Sequence, residues 1–256
     1  MIELDNLSVF YGKYQIIKRV NAKIDEKVLL LGPNGSGKST LLRAIAAIIN
    51  YNGHIFIDGQ EVSKLRNYNK LSTNLPQPYY LTDSVKDTIY LYEEIKGVDP
   101  KLVIQMLGRL GLNSVINKKW YHLSTGQAII TSDIMALASN PKIILLDEPF
   151  ENVDIGKRRI LAEWIKEYGN EGIIVTHEVE IIKLLKDYKT YMIFEGKLFG
   201  PVTARDILES SIVEGEKPSA ILKIEVSGRT FSFIKEDKGY KVETLVTLDG
   251  IYNISA

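Results

Sequence analysis

Apolar and polar positions alternate along Val9–Gly32, with turn signals at Gly12 and Asp25, which predicts antiparallel strands closing on a short buried strand at Leu29–Leu31. "GHIFIDGQEV", Gly53–Val62, predicts a hairpin turning at Asp58-Gly59. From about Leu81 to Gly126 the period lengthens: Val85, Ile89, Leu91, Tyr92 and Ile95 recur at near-helical spacing, and "PKLVIQMLGRLGL" carries a proline at its start and glycine near its end. This predicts a helical insertion. "KIILLDEP" and "GIIVTHE" are short apolar runs ending in titratable residues, as buried parallel strands with functional side chains at their C-terminal ends would be. Beyond Gly200 a polar segment leads into strand alternation around Ser227-Gly228, Lys238-Gly239 and Asp249-Gly250, predicting a small β-rich extension over 201–256.

Composition narrows the class. The 256 residues are 45% hydrophobic and 25% charged, enough for a full core. The formal net charge is +0, so no global field draws the chain to nucleic acid, and none is expected as a partner. No window approaches the ~20 apolar residues that cross a bilayer. The acidic start "MIELDNLSVF" has no apolar signal region, so a cytoplasmic location is expected. With no cysteine there is neither a disulfide framework nor a thiolate metal site.

"LLLGPNGSGKST" places Gly32, Gly35 and Gly37 around Lys38 after the leucine strand. Converging backbone N–H groups on a polyphosphate needs positive φ and no side chains in the way, which glycine supplies. Lys38 would reach the β and γ phosphates, Ser39 would place its hydroxyl on Mg²⁺, and the helix beginning near Lys38, continued by "STLLRAIAAII", would point its positive end at the anion. The implied ligand is a nucleoside triphosphate with magnesium. In "IILLDEP", Asp147 would hold Mg²⁺ and Glu148 would polarise an attacking water. "LSTGQ" opens a helix that Ser124 would cap.

Together and in this order, these motifs resemble the ATP-binding-cassette (ABC) ATPases over roughly residues 1–200. The resemblance implies an α/β fold: a P-loop NTPase core with an antiparallel β subdomain and a helical subdomain at about 81–126, followed by the extension. Tyr11 matches the aromatic that stacks on adenine, and "GPNGSGKST", with Asn34, Gly35, Ser36, Gly37, Lys38, Ser39 and Thr40, matches Walker A. Gln77 in "NLPQPYY" matches the Q-loop residue that senses metal and γ-phosphate. Ser124, Thr125, Gly126 and Gln127 match the signature, Asp147 and Glu148 Walker B, Asp154 in "ENVD" the D-loop, and His177 the switch histidine. Thr125 replaces the first glycine of the signature pair. Ala128, Ile130 and Met135 stand where the family usually places arginines, which removes the usual salt-bridge support of that helix.

The resemblance further implies ATP and Mg²⁺ as ligands and a head-to-tail pair with a second ABC ATPase subunit, identical or not. It also implies a separate integral membrane permease that would hold the chain on the inner face of the cell membrane. A soluble, non-transport ABC ATPase is the alternative; a repair protein would need a long coiled-coil insertion, and a translation factor a second cassette. The cargo stays open between the multidrug or ABC-2 exporters and the cobalt, nickel or vitamin importers of the energy-coupling-factor type. Because no motif of the ATP site lies beyond about Pro201, deletion of Ser219–Ala256 is expected to leave nucleotide binding intact.

Overall fold

The structure, a computed structural model, describes residues 1–66 and 68–251. The chain divides into two compact units, one formed by Met1–Leu65 with the chain from Val175 onward and the other by Arg66–Ile174.

In the first unit, β1 (Ile2–Tyr11) turns at Gly12, φ 59°, into antiparallel β2 (Tyr14–Ile24). Next comes β3 (Lys27–Leu31), which leaves that sheet. The expected antiparallel run therefore stops at Ile24. Val28–Leu31 are buried without alternation, as a strand covered on both faces must be. The glycine-rich loop leads into α1 (Lys38–Ile45), which is shorter than its apolar pattern predicts. Ala47 takes a left-handed φ of 57°, and the Ile48 N–H donates to the Arg43 carbonyl at 2.9 Å, closing the helix end. β4 (Asn52–Ile57) pairs antiparallel with β1 and turns through Asp58 and Gly59, both at positive φ, into β5 (Gln60–Glu61), as predicted.

The second unit opens with β6 (Leu71–Thr73) and continues through α2 (Val85–Lys96) and α3 (Pro100–Arg109). Ser84 caps α2 by accepting from the Asp87 N–H, and Gly97 ends it at φ 69°. Val85, Ile89 and Tyr92 are buried as their spacing predicts, whereas Ile95 is exposed. α4 (Thr125–Ala138) leads to β7 (Ile143–Asp147), which pairs in parallel with β6. α5 (Ile155–Glu167) follows, then β8 (Glu171–Thr176), which borders β7 and contains the boundary between the units.

The chain returns to the first unit through α6 (Val179–Leu184) and β9 (Lys189–Phe194); β9 lies parallel to β3 and pairs antiparallel with β10 (Lys197–Thr203). After α7 (Ala204–Leu208) come β11 (Ser211–Glu214), β12 (Leu222–Val226), β13 (Arg229–Ile234) and β14 (Tyr240–Lys241), in the sheet order β12-β13-β11-β14. Leu222, Ile224 and Val226 alternate inward toward buried Phe231 and Phe233, and Ser227-Gly228 make the predicted hairpin turn. Among the described residues, Asp249-Gly250, read as a strand turn, joins no strand pair.

Gly172 shows how closely the second unit is packed. Its φ is 142°, and a Cβ there would run into the main chain of Ile144 on β7. Gly172→Ala is expected to destabilise the chain by about 3 kcal/mol, a fall in Tm of about 6–12 °C in a thermal melt. An unchanged Tm would contradict this account of the packing.

Candidate functional site

In the first unit the phosphate loop is shaped by main chain packed against main chain. A Cβ on Gly32 would meet the carbonyl oxygen of Ile193, the residue before the end of β9, and one on Gly37, φ 110°, would meet Ile17. The Gly196 N–H donates to the Ser36 carbonyl at 3.1 Å, so the β9–β10 turn braces the loop. Lys38 is 6% exposed and folds back, its Nζ donating to Gly32 O at 2.8 Å and Pro33 O at 3.0 Å. Ser36 Oγ is buried with no hydrogen-bond partner among the described residues. A cup with an unanswered hydroxyl, a buried ammonium and glycines held against backbone fits a phosphate anion. Asn34 and Gly35 are exposed, Ser39 is half-buried and Thr40 is buried. Tyr11 ends β1, 45% exposed, as a face offered to a flat ring requires.

His177 follows the last residue of β8. Its carbonyl accepts the Leu248 N–H at 3.0 Å, the next residue forms an antiparallel bridge with Thr247, and the Val179 N–H donates to Val246 O at 3.2 Å. The end of the extension is thus held to the histidine loop by an isolated antiparallel bridge. Two residues from Thr247, Asp249 Oδ1 accepts the Asn34 N–H at 2.7 Å, and Oδ2 takes the Asn34 amide at 3.3 Å. The extension therefore packs against the nucleotide loop, and Asp249 puts a carboxylate on it. No local pattern announces this, because the two partners lie 215 residues apart.

In the second unit, Asp147 ends β7 and Glu148 takes a left-handed φ of 46°, turning the chain sharply off the strand. Gln77 begins a short 3₁₀ turn, Gln77–Leu81, and its Oε1 is buried with no hydrogen-bond partner among the described residues. A carboxylate at a strand end and an unanswered amide oxygen are the hard oxygen donors that suit Mg²⁺, which takes few protein ligands beside substrate phosphates. Among the described residues no three or more His, Asp or Glu side chains gather as a self-contained metal site.

Two residues missed by sequence reasoning brace this region. Asn74, 8% exposed, bonds both main-chain groups of Asp147 and reaches Asp133 on α4, which is 0% exposed. Burial pushes the Asp133 carboxyl well above the usual carboxylate range. Tyr79 Oη lies 3.1 Å from Thr73 O and 2.9 Å from Ser132 O, with its ring against Tyr92 and Trp120. α4 therefore has its support without the arginines that the family resemblance leads one to expect.

The signature loop forms a capping box: the Gln127 N–H donates to Ser124 Oγ at 3.3 Å and the Ser124 N–H to Gln127 Oε1 at 3.2 Å. Gln127 is thus occupied within its own helix start. Ser124 and Thr125 are exposed. Gly126 cannot change as Thr125 has, because a Cβ there would strike the Asn152 carbonyl. Asp154 precedes α5, its side chain 79% exposed and paired with Lys157 at 3.0 Å.

The sequence pattern of the ABC transporter family matches residues 18–151. A molybdate/tungstate import ATP-binding protein of Thermococcus kodakarensis is 33% identical over 238 residues, covering 80% of this chain and 72% of the relative. A crystal structure provisionally named a cobalt transport ATP-binding protein is 46% identical, with a TM-score of 0.94, covering 99% of this chain and 100% of that one. A dimeric bacterial ABC transporter cassette is 25% identical, with a TM-score of 0.67, over 80% of this chain and 99% of that one. The match that begins in β2 and runs through the acidic pair, joined to a counterpart along the whole chain, places this protein in the ABC transporter family, among its ATP-binding and ATP-hydrolysing subunits.

Proposed function

We propose that this chain drives a membrane transporter by closing on Mg-ATP against a second ABC subunit. The observation that carries this reading is the contrast between two half-sites on one chain. Lys38 is buried inside its own phosphate loop, whereas Ser124 and Thr125 open the N-terminal end of α4 to solvent, free to meet another copy's nucleotide. In this reading Tyr11 stacks on the base, the loop from Asn34 to Thr40 holds the phosphates, and Ser39, Gln77 and Asp147 hold Mg²⁺. Bound Mg²⁺ would neutralise the phosphate oxygens. Glu148 takes the proton of the attacking water, His177 and Gln77 orient that water and the γ-phosphate, and Ser124, Thr125, Gly126, Gln127 and Asp154 form the face offered to the partner. The cassette of 1–200, with its helical subdomain at about 81–126, would then be the motor, and the extension from 201 its regulator.

No helix among the described residues is long and apolar enough to cross a membrane, so attachment to the bilayer would run through a permease subunit. A full-length likeness to a protein carrying a cobalt name, and a relative named for molybdate and tungstate, favour uptake of a metal, cobalt first. Affinity purification of the chain from solubilised membranes is expected to bring down an integral membrane subunit. Recovery from the soluble fraction alone would count against transport.

The composite site is tested by Glu148→Gln, which keeps size and hydrogen bonding but removes the base. Hydrolysis is expected to fall at least about 100-fold with ATP binding retained, giving an ATP-dependent dimer in light scattering. Ser124→Arg added to it should abolish the dimer while monomers still bind nucleotide. A monomeric Glu148→Gln protein in saturating Mg-ATP refutes the shared site.

The Asp249 carboxylate stands on an N–H group that a phosphate would use, so it opposes the anion. Asp249→Ala is expected to tighten ATP binding by about three- to tenfold at low salt, with the gain shrinking as salt rises. Lys38→Ala, measured alongside, should abolish tight binding. Weaker binding in Asp249→Ala would mean that the extension supports the loop instead of opposing its ligand.

A further inference from the structure

β6 ends at Thr73 because the chain must turn at Leu75-Pro76 into the 3₁₀ segment that begins with Gln77. In the parallel register Leu71↔Ile143, Ser72↔Ile144 and Thr73↔Leu145, main-chain pairing with β7 therefore stops two residues short of Asp147. Asn74 continues it with a side chain. Its Oδ1 accepts the Asp147 N–H at 2.8 Å, and its Nδ2 donates to Asp147 O at 3.1 Å and to Asp133 Oδ1 at 2.7 Å. With both ends of the amide engaged, one orientation satisfies all three bonds. Asn74 also lies three residues before Gln77, so one short segment carries the clamp on Asp147 and the unanswered Gln77 Oε1.

We propose that Asn74 is a positioning residue for magnesium: holding Asp147 by both main-chain groups, it fixes where the Asp147 carboxylate meets the ion, and Asp133 ties that position to the signature helix. This rests on the assignment of Asp147 to Mg²⁺ above. An acceptor at the strand end whose main chain is free to shift would still bind the ion, but with a poorer fit to the octahedral geometry that Mg²⁺ demands. The Asp133 bond explains why an acid sits fully buried on α4: it gives Asn74 Nδ2 a fixed acceptor on an element that also carries Ser124 at its start. Movement of α4 is in this way transmitted to the metal position through two hydrogen bonds. Tyr79, bonded to the same stretch of α4 through Ser132 O, keeps the segment from swinging as a whole.

The test is equilibrium binding of a fluorescent ATP analogue to the isolated full-length chain, in EDTA and across a Mg²⁺ titration, with kcat and KM measured beside it. Asn74→Ala is expected to bind the analogue as the parent does in EDTA but to need about tenfold more Mg²⁺ for half-saturation, with kcat falling by about 10–100-fold and KM for ATP changing little. Asp133→Leu should behave like Asn74→Ala. Asp133→Asn, which keeps an oxygen acceptor for Asn74, should retain the parental Mg²⁺ response. If Asn74→Ala does not fold by circular dichroism, Asn74→Ser, which keeps a hydroxyl for one bond, is read in the same way. A folded Asn74 variant with the parental Mg²⁺ response overturns the proposal, as does one that loses EDTA and Mg²⁺ binding equally. Asp147→Asn separates the two levels. If it too keeps the parental response, the assignment of Asp147 to the ion has failed; if it loses the response while Asn74→Ala keeps it, Asp147 stands and the role of Asn74 is refuted.

Discussion

The absence of a side chain at Gly32 is the constraint on which the nucleotide loop depends. Its Cα lies against the Ile193 carbonyl, so β9 can run beside β3 and the loop can curl over its own lysine only while that position carries hydrogen. Bracing from the β9–β10 turn then sets the Ser36 carbonyl, and Lys38 fills the cup from inside. The loop's curl over Lys38 follows from that close approach. The dependence is steric, with no softer alternative: the obstructing atom belongs to a buried strand and cannot step aside as the tip of a long side chain would.

Residues whose chemistry is set by near neighbours were legible in the sequence. The phosphate loop, the acidic pair at the end of β7, the capping serine of α4 and the hairpins at Asp58-Gly59 and Ser227-Gly228 each follow from a few adjacent positions. The buried run Val28–Leu31 reads as a strand, but its parallel partner lies some 160 residues on, and nothing within the run names it. The same limit hid Asn74, Asp133 and Asp249. A lone asparagine before a proline turn has no spacing to mark it, and its bonds to Asp133 and Asp147 span 59 and 73 residues. Ile95 fell to the opposite limit: its spacing matched the buried face of α2, yet in that last turn it is Lys96 that reaches inward, to Leu71 O and Ser72 Oγ, and Ile95 is left exposed.

The two glycine positions of the signature separate sharply once packing is considered. Gly126 is held by the Asn152 carbonyl, itself in a left-handed turn of the loop before α5, so any side chain there displaces main chain. Thr125 faces solvent and meets no such obstacle. The replacement of one glycine and the retention of the other have a structural cause that a motif read as a unit conceals.

The reciprocal bonds between Ser124 and Gln127 carry a thermodynamic consequence for any encounter between two chains. A recognition loop that must freeze on contact loses conformational entropy at that moment, about 0.5–1.5 kcal/mol for each side chain it immobilises. Here the ordering takes place when the chain folds, since both ends of the loop are locked to each other before a partner arrives. In the proposed pairing, association would then start from a rigid surface, and the strength of the union would be left to the anion shared across it.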